Sequence, residues 1–190
     1  MRTAGRDPGD RTPAPGSLRL IQALVNTLSA EPGIDLLATR EGATEWLGAA
    51  GLLATGSHLT GAEHQALVEL REAIRGVLAA HTGRRENPAA ASRLAVALGS
   101  CRLGLAVGPA GDMRLVSADH DPFQRVIGAV AAAIAEAAVA GTWARLKSCP
   151  GHLCGWAFYD RSASGQSRWC SMQLCGSRSK MRAYRGRLAQ

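Results

Sequence analysis

The sequence predicts a mainly α domain with one β-hairpin, an α+β class, followed by a small C-terminal module made of a β-hairpin and a terminal helix. Three observations carry this reading. Apolar residues recur at helical spacing through most of the first 145 positions and alternate only around 103–115. Four of the five cysteines stand at 149, 154, 170 and 175. The formal net charge of +7 is also unevenly placed. Residues 1–140 hold 13 Arg against 14 Asp and Glu, whereas residues 141–190 hold nine Lys and Arg against the single acid Asp160. With 46% hydrophobic residues the bulk of the chain can bury a core. The expected organisation is a disordered tail over 1–16, a helical domain over 17–147 and the cysteine module over 148–190.

The elements follow in order. The first sixteen residues are Arg, Asp, Pro and Gly without an apolar run, so neither a core element nor a secretory signal is expected there. Ser17 is placed to cap a helix in which Leu18, Ile21, Leu24, Val25 and Leu28 keep helical spacing. After a loop through Pro32 and Gly33, a short helix over 44–50 carries Trp46. Thr60 and Glu63 form a capping box that opens a long helix with Leu67, Leu70, Ile74, Val77 and Leu78 on one face. Asn87-Pro88 opens another helix that runs to about Gly99. Leu103, Leu105 and Val107 then alternate, as do Met113 and Leu115, around Gly108-Pro109-Ala110-Gly111-Asp112, which predicts a hairpin. Asp121-Pro122 starts an alanine-rich helix to about Gly141. Glu136 interrupts that apolar stretch, and alanine drives insertion weakly, so a buried helix is expected rather than a membrane span.

The helical domain offers little chemistry. It has no glycine-rich phosphate loop, no His-Glu-x-x-His and no nucleophile motif, so no enzyme is expected. His58, His64, His81 and His120 stand apart as surface or satisfied core residues. Arg71, Glu72 and Arg75 read as a solvated helical face, and Cys101 as a small buried hydrophobe. Without a signal or span the protein is expected in the cytoplasm, where thiols stay reduced and clustered cysteines point to metal.

Cys149 and Cys154, and Cys170 and Cys175, are two pairs with the same four-residue gap. Four thiolates fill a zinc tetrahedron and leave no open position, which suits a structural Zn2+. Trp156 and Phe158 on one strand and Trp169 on a returning strand are expected to form the core of a small hairpin. Beyond Cys175, the residues Leu174, Ser177, Met181, Tyr184 and Leu188 fall on one helical arc, expected to pack on that hairpin. Arg178, Arg182 and Arg185 flank the arc on one side, and Lys180 and Arg187 on the other. Five cations in ten residues without an acid have the character of a phosphate-contacting surface.

The string Cys149-x4-Cys154-Gly-Trp156-x-Phe158-Tyr159-Asp160-x-Ser162, continued by Arg168-Trp169-Cys170-Ser-Met172-x-x-Cys175-Gly176-x-Arg178-x-Lys180, resembles the CGNR zinc finger. The preceding part resembles the ABATE domain, through Val25-Asn26-Thr27-Leu28, Trp46-Leu47, Leu70–Arg75 and Trp143–Lys147. The resemblance implies a treble-clef-like finger behind a regulatory domain, in a family proposed to be stress-induced bacterial transcription regulators. Ser177 stands where the family has Asn. The expectation is therefore a DNA-binding regulator whose contacts are Arg178, Lys180, Arg182, Arg185 and Arg187, with a helical domain that senses an unknown small molecule or forms a homodimer. RNA binding, with Trp156 or Tyr184 stacking on bases, is one alternative. A protein-interaction module or a thiol redox switch is another.

Overall fold

In the computed structural model, residues 3–4, 7–31, 33–83 and 86–188 are described. The first helix, α1 (Leu18–Val25), leads through a two-residue ladder, β1 (Leu28–Ser29) with β2 (Ile34–Asp35), into α2 (Arg40–Ala49). Then come α3 (Gly61–Ala80), α4 (Pro88–Gly99), the hairpin β3 (Leu103–Val107) and β4 (Met113–Ser117), and α5 (Pro122–Val139). The C-terminal module consists of β5 (Leu146–Ser148), β6 (Ala157–Tyr159) and α6 (Ser177–Leu188). Pro32 lies outside the described residues, as do four of the first six positions.

Caps set most of the helix starts. Thr60 accepts from the Glu63 amide at 3.2 Å while the Glu63 carboxylate accepts from the Thr60 amide at 2.6 Å. Asn87 and Asp121 cap the helices that Pro88 and Pro122 begin. Two starts differ from expectation. Thr39, by accepting from the Gly42 amide, opens α2 four residues before position 44. Ser17 adopts a helical conformation and makes no side-chain cap. The 103–107 and 113–117 hairpin forms as predicted, paired Leu105 to Leu115.

The main core lies between α1, α3 and α5, where Ile21, Leu24, Leu67, Leu70, Ile74, Val126 and Val130 are buried. Helix α5 is long and apolar enough to cross a membrane, and half of it is buried in this core. Its small residues allow close approach: a Cβ on Gly128 would collide with Ser117 of β4. Arg71 is a correction. It is buried, not solvated, and forks onto Asp35 at 2.5 and 3.0 Å while reaching Thr27 at 3.2 Å and Glu72 at 2.9 Å. Burial would raise the Asp35 carboxyl, but the Arg71 fork and the Leu37 amide hold it below its ordinary value. The helical periodicity hid this residue because it sits beside the apolar stripe with its head turned inward.

The junction between the two parts is also built of buried polar groups. Asn26, just after α1, accepts from the Ala157 amide at 2.7 Å and donates to the Ala157 carbonyl at 2.9 Å. It thereby occupies the open edge of β6 as a neighbouring strand would. Gln22 donates to the same carbonyl and accepts from the Ala14 amide. His81 contacts the Leu146 carbonyl at 2.7 Å and stands edge-on to Trp143.

The N-terminal segment departs from the expected disordered tail. Its composition cannot make a core, yet its polar groups match the module's unpaired backbone. Arg11 donates to the carbonyls of Cys170 and Trp169 at 2.8 and 3.0 Å and lies over the Phe158 ring. Asp7 accepts from the Trp156 indole at 3.2 Å, and the Ala4 amide donates to the Asn26 carbonyl.

Replacing Asn26 by Ala leaves the buried Ala157 amide without a partner and is expected to cost about 1–3 kcal/mol. Urea unfolding followed by circular dichroism measures it, and Asn26→Asp should recover less than half, since a carboxylate cannot donate to the carbonyl.

Candidate metal centre and basic helix

The first cysteine pair sits in the turn of a hairpin that differs from the expected one. β6 pairs with β5, Lys147 opposite Phe158, rather than with the segment carrying Trp169. The module's ladder therefore begins at Leu146, two residues before the expected boundary at 148, and Leu146 already lies in the core. The stretch 146–148 escaped notice because it is too short to show a period. The Cys149 amide donates to the Trp156 carbonyl at 2.9 Å, and the Gly151 amide approaches the Cys149 Sγ at 3.5 Å. Leu153 at φ 54° and Gly155 at φ 62° turn the chain tightly enough to bring Cys154 back. A non-glycine residue in that conformation costs roughly 1–2 kcal/mol, which the rest of the turn must hold in place.

The second pair lies on an irregular turn. Ser171 caps it by accepting from the Leu174 amide at 3.2 Å, and a wide turn over Met172–Gly176 presents Cys175 at the start of α6. Gly176 fits because Met172 and Trp169 press on its Cα: an added Cβ would lie 3.3 Å from the Trp169 ring. Ser177 donates its hydroxyl to the Met172 carbonyl at 3.2 Å.

These turns bring all four Sγ atoms within 4.8 Å of one another. Cys154 to Cys170 and Cys170 to Cys175 are each 3.6 Å. A tetrahedron with metal–sulfur bonds of about 2.3 Å has edges of roughly 3.8 Å, so the spacing fits an S4 site. The donor chemistry fits as well. Hydrogen bonds from Cys154 and Cys170 draw the Cys149 thiol down to about 2, and the same contact pushes Cys154 up to about 12. Cys149 likewise raises Cys170, and burial raises Cys175. Crowded thiols resist ionising together, and a divalent cation supplies the charge that lets all four do so. The four cysteines could hold a metal ion with no position open to substrate.

An ion pair beneath the cluster fixes the loop between the pairs. Lys147 donates to Asp160 at 2.9 Å and to the carbonyls of Gly165 and Ser167 at 2.6 and 3.1 Å. Asp160 accepts from the Ser162 amide and hydroxyl and from the Ser167 amide, and both charged heads are buried. Burial would raise the Asp160 carboxyl, but Lys147 and these donors hold it well below its ordinary value of 3.8.

The terminal helix differs from expectation in its packing. None of its residues is buried, and Met181, Tyr184 and Leu188 are exposed rather than folded onto the hairpin. The aromatic core of Trp156 and Phe158 is completed by Arg11 and the cysteines instead, which leaves the stripe no surface to cover. Arg178, Lys180, Arg182, Arg185 and Arg187 are all exposed. Arg178 pairs with Glu31 at 2.6 Å, which ties the start of the helix to the first domain. A cavity of about 600 Å³ lies at that junction, lined by Glu31, His152, Leu153, Trp156, Leu174 and Arg178. Trp156 is buried and is a core residue, whereas Tyr184 faces solvent.

Two family models match the chain in sequence order. Residues 18–141 match ABATE, described as a "putative stress-induced transcription regulator", and residues 145–188 match the CGNR zinc finger. No curated protein matches the chain.

Two outcomes follow from the geometry. Cys170→Ser is expected to weaken metal affinity at least about a hundredfold, read by competition with a chromophoric chelator. Lys147→Met leaves Asp160 buried without its cation and should destabilise the module by about 3–5 kcal/mol at pH 7. The Asp160 contribution is present above the ordinary carboxyl value of 3.8 and is lost as pH falls below it, so the penalty should shrink in acid.

Proposed function

The chain belongs to the ABATE family and carries a CGNR zinc finger, and from that premise we propose that it is a cytoplasmic, non-enzymatic transcription regulator that binds DNA through α6. Zn2+ held by Cys149, Cys154, Cys170 and Cys175 has a structural role: it fixes the turn from which the helix starts. The observation that carries this reading is the state of α6, an exposed helix with five cations and no acid, which starts two residues after Cys175 of the cysteine cluster. Lys180, Arg182, Arg185 and Arg187 form no ion pair among the described residues and are available to phosphates. Arg178 is held by Glu31, so a phosphate must compete with that carboxylate. Of the two residues that could stack on single-stranded RNA, Trp156 is buried with its indole N–H bound to Asp7, which leaves Tyr184 alone and favours a duplex. The cavity beside Glu31 and Arg178 is the natural place for a small effector, which would act on α6 through that ion pair.

The test is a salt titration of duplex binding by fluorescence anisotropy, using metal-loaded protein. Affinity should fall linearly with log salt, and Arg182→Ala with Arg185→Ala should reduce the slope by about 2. Binding that ignores salt, or prefers a single-stranded oligonucleotide, would overturn it.

A further inference from the structure

The β3–β4 hairpin has an open side. The Leu115 amide donates to Glu136 of α5 at 3.2 Å, so Leu115 points away from β3 and α5 covers the outer edge of β4. With Leu105 opposite Leu115, the strand parity turns the amides and carbonyls of Leu103, Leu105 and Val107 away from β4 as well, onto the outer edge of β3. The ladder ends agree: Ala118 donates to Arg102, and Gly108 to Asp112, across the inner edge. No described residue pairs with the outer groups. The same three residues expose apolar side chains, with Leu105 at 67% and Val107 at 69%. Natural sheets protect such edges with charge, proline or a bulge, and Leu-Gly-Leu-Ala-Val has none of these.

We propose that this edge pairs with the β3 edge of a second copy of the chain. A two-fold axis at Leu105 sets Leu105 against Leu105 and Leu103 against Val107 of the other copy, and every outward amide then meets an outward carbonyl. The two hairpins become one four-stranded antiparallel sheet whose ends are covered by the α5 helices. Charge favours this register. One step beyond the paired residues, Arg102 comes opposite Gly108 of the second copy. The place of a side chain at Gly108 is taken by the Asp112 carboxylate, with which a Cβ there would collide. Asp112 has no ion pair among the described residues. Arg102 is exposed and uses only its Nε on Asp119, leaving other guanidinium donors to reach across. The symmetry makes this contact twice.

Sedimentation equilibrium of the full chain with its metal tests the proposal. The wild type should be a dimer at roughly 100 µM, whose dissociation constant rises with salt. Leu105→Lys sets two ammonium groups face to face on the axis and should raise the dissociation constant at least about a hundredfold. Leu105→Pro removes an amide that β4 does not use, so it should dissociate the dimer while leaving the circular dichroism unchanged. Asp112→Lys, which changes a side chain that makes no ladder hydrogen bond, should weaken it about tenfold and remains informative if either Leu105 variant fails to fold. A wild type that stays monomeric at that concentration overturns the proposal, as does a dimer that the folded variants leave intact.

Discussion

The arrangement of this protein depends on one buried amide. Asn26 satisfies both backbone groups of Ala157, so the short strand of the cysteine module is finished by the side chain of the residue that caps the end of the first helix. A two-stranded ladder of three residues per strand is marginal alone. Here its outer edge, its Leu146 and its Tyr159 are all absorbed into the helical domain's core. The junction is therefore no flexible linker between independent units. The side chains that secure it, Gln22, Asn26 and His81, are uncharged polar groups whose directional bonds fix orientation rather than merely adding adhesion.

Fixing that orientation matters because the module's own second half is irregular. The path from Asp160 to Cys170 contains no strand, and its shape comes from Lys147 and Asp160, two buried charges that saturate each other and four loop backbone groups. The sulfur cluster then closes the far end. Rigid support on three sides leaves α6 exposed along its length, and its charges other than Arg178 are displayed rather than consumed.

Much of this was legible in the residues. The capping box at Thr60, the Asn87-Pro88 and Asp121-Pro122 starts, the 103–117 hairpin and the clustering of four cysteines all rest on local rules, and local rules survive folding. What escaped was long-range polar matching. Nothing in the neighbourhood of Arg71 marks Asp35 as its partner, and nothing near Arg11 marks the carbonyls of Trp169 and Cys170. A charged residue reads as solvent-facing until its distant acceptor is known. The terminal helix erred in the opposite sense: a perfect apolar stripe promised packing, but the surface it was to cover had already been filled from the other end of the chain.

That filling has a bearing on the order of events during synthesis. Arg11 and Cys170 are 159 positions apart, so Arg11 can take up its final place only after the cysteine module has been made. The helical domain can collect its core as it emerges, domain before domain. Its N-terminal strap must wait, with Asp7 and Arg11 unengaged, until the cysteine turns have closed. Completion of the fold is thus coupled to synthesis of the cysteine module, and a chain truncated before Cys170 would lack both the cluster and the seat for Arg11.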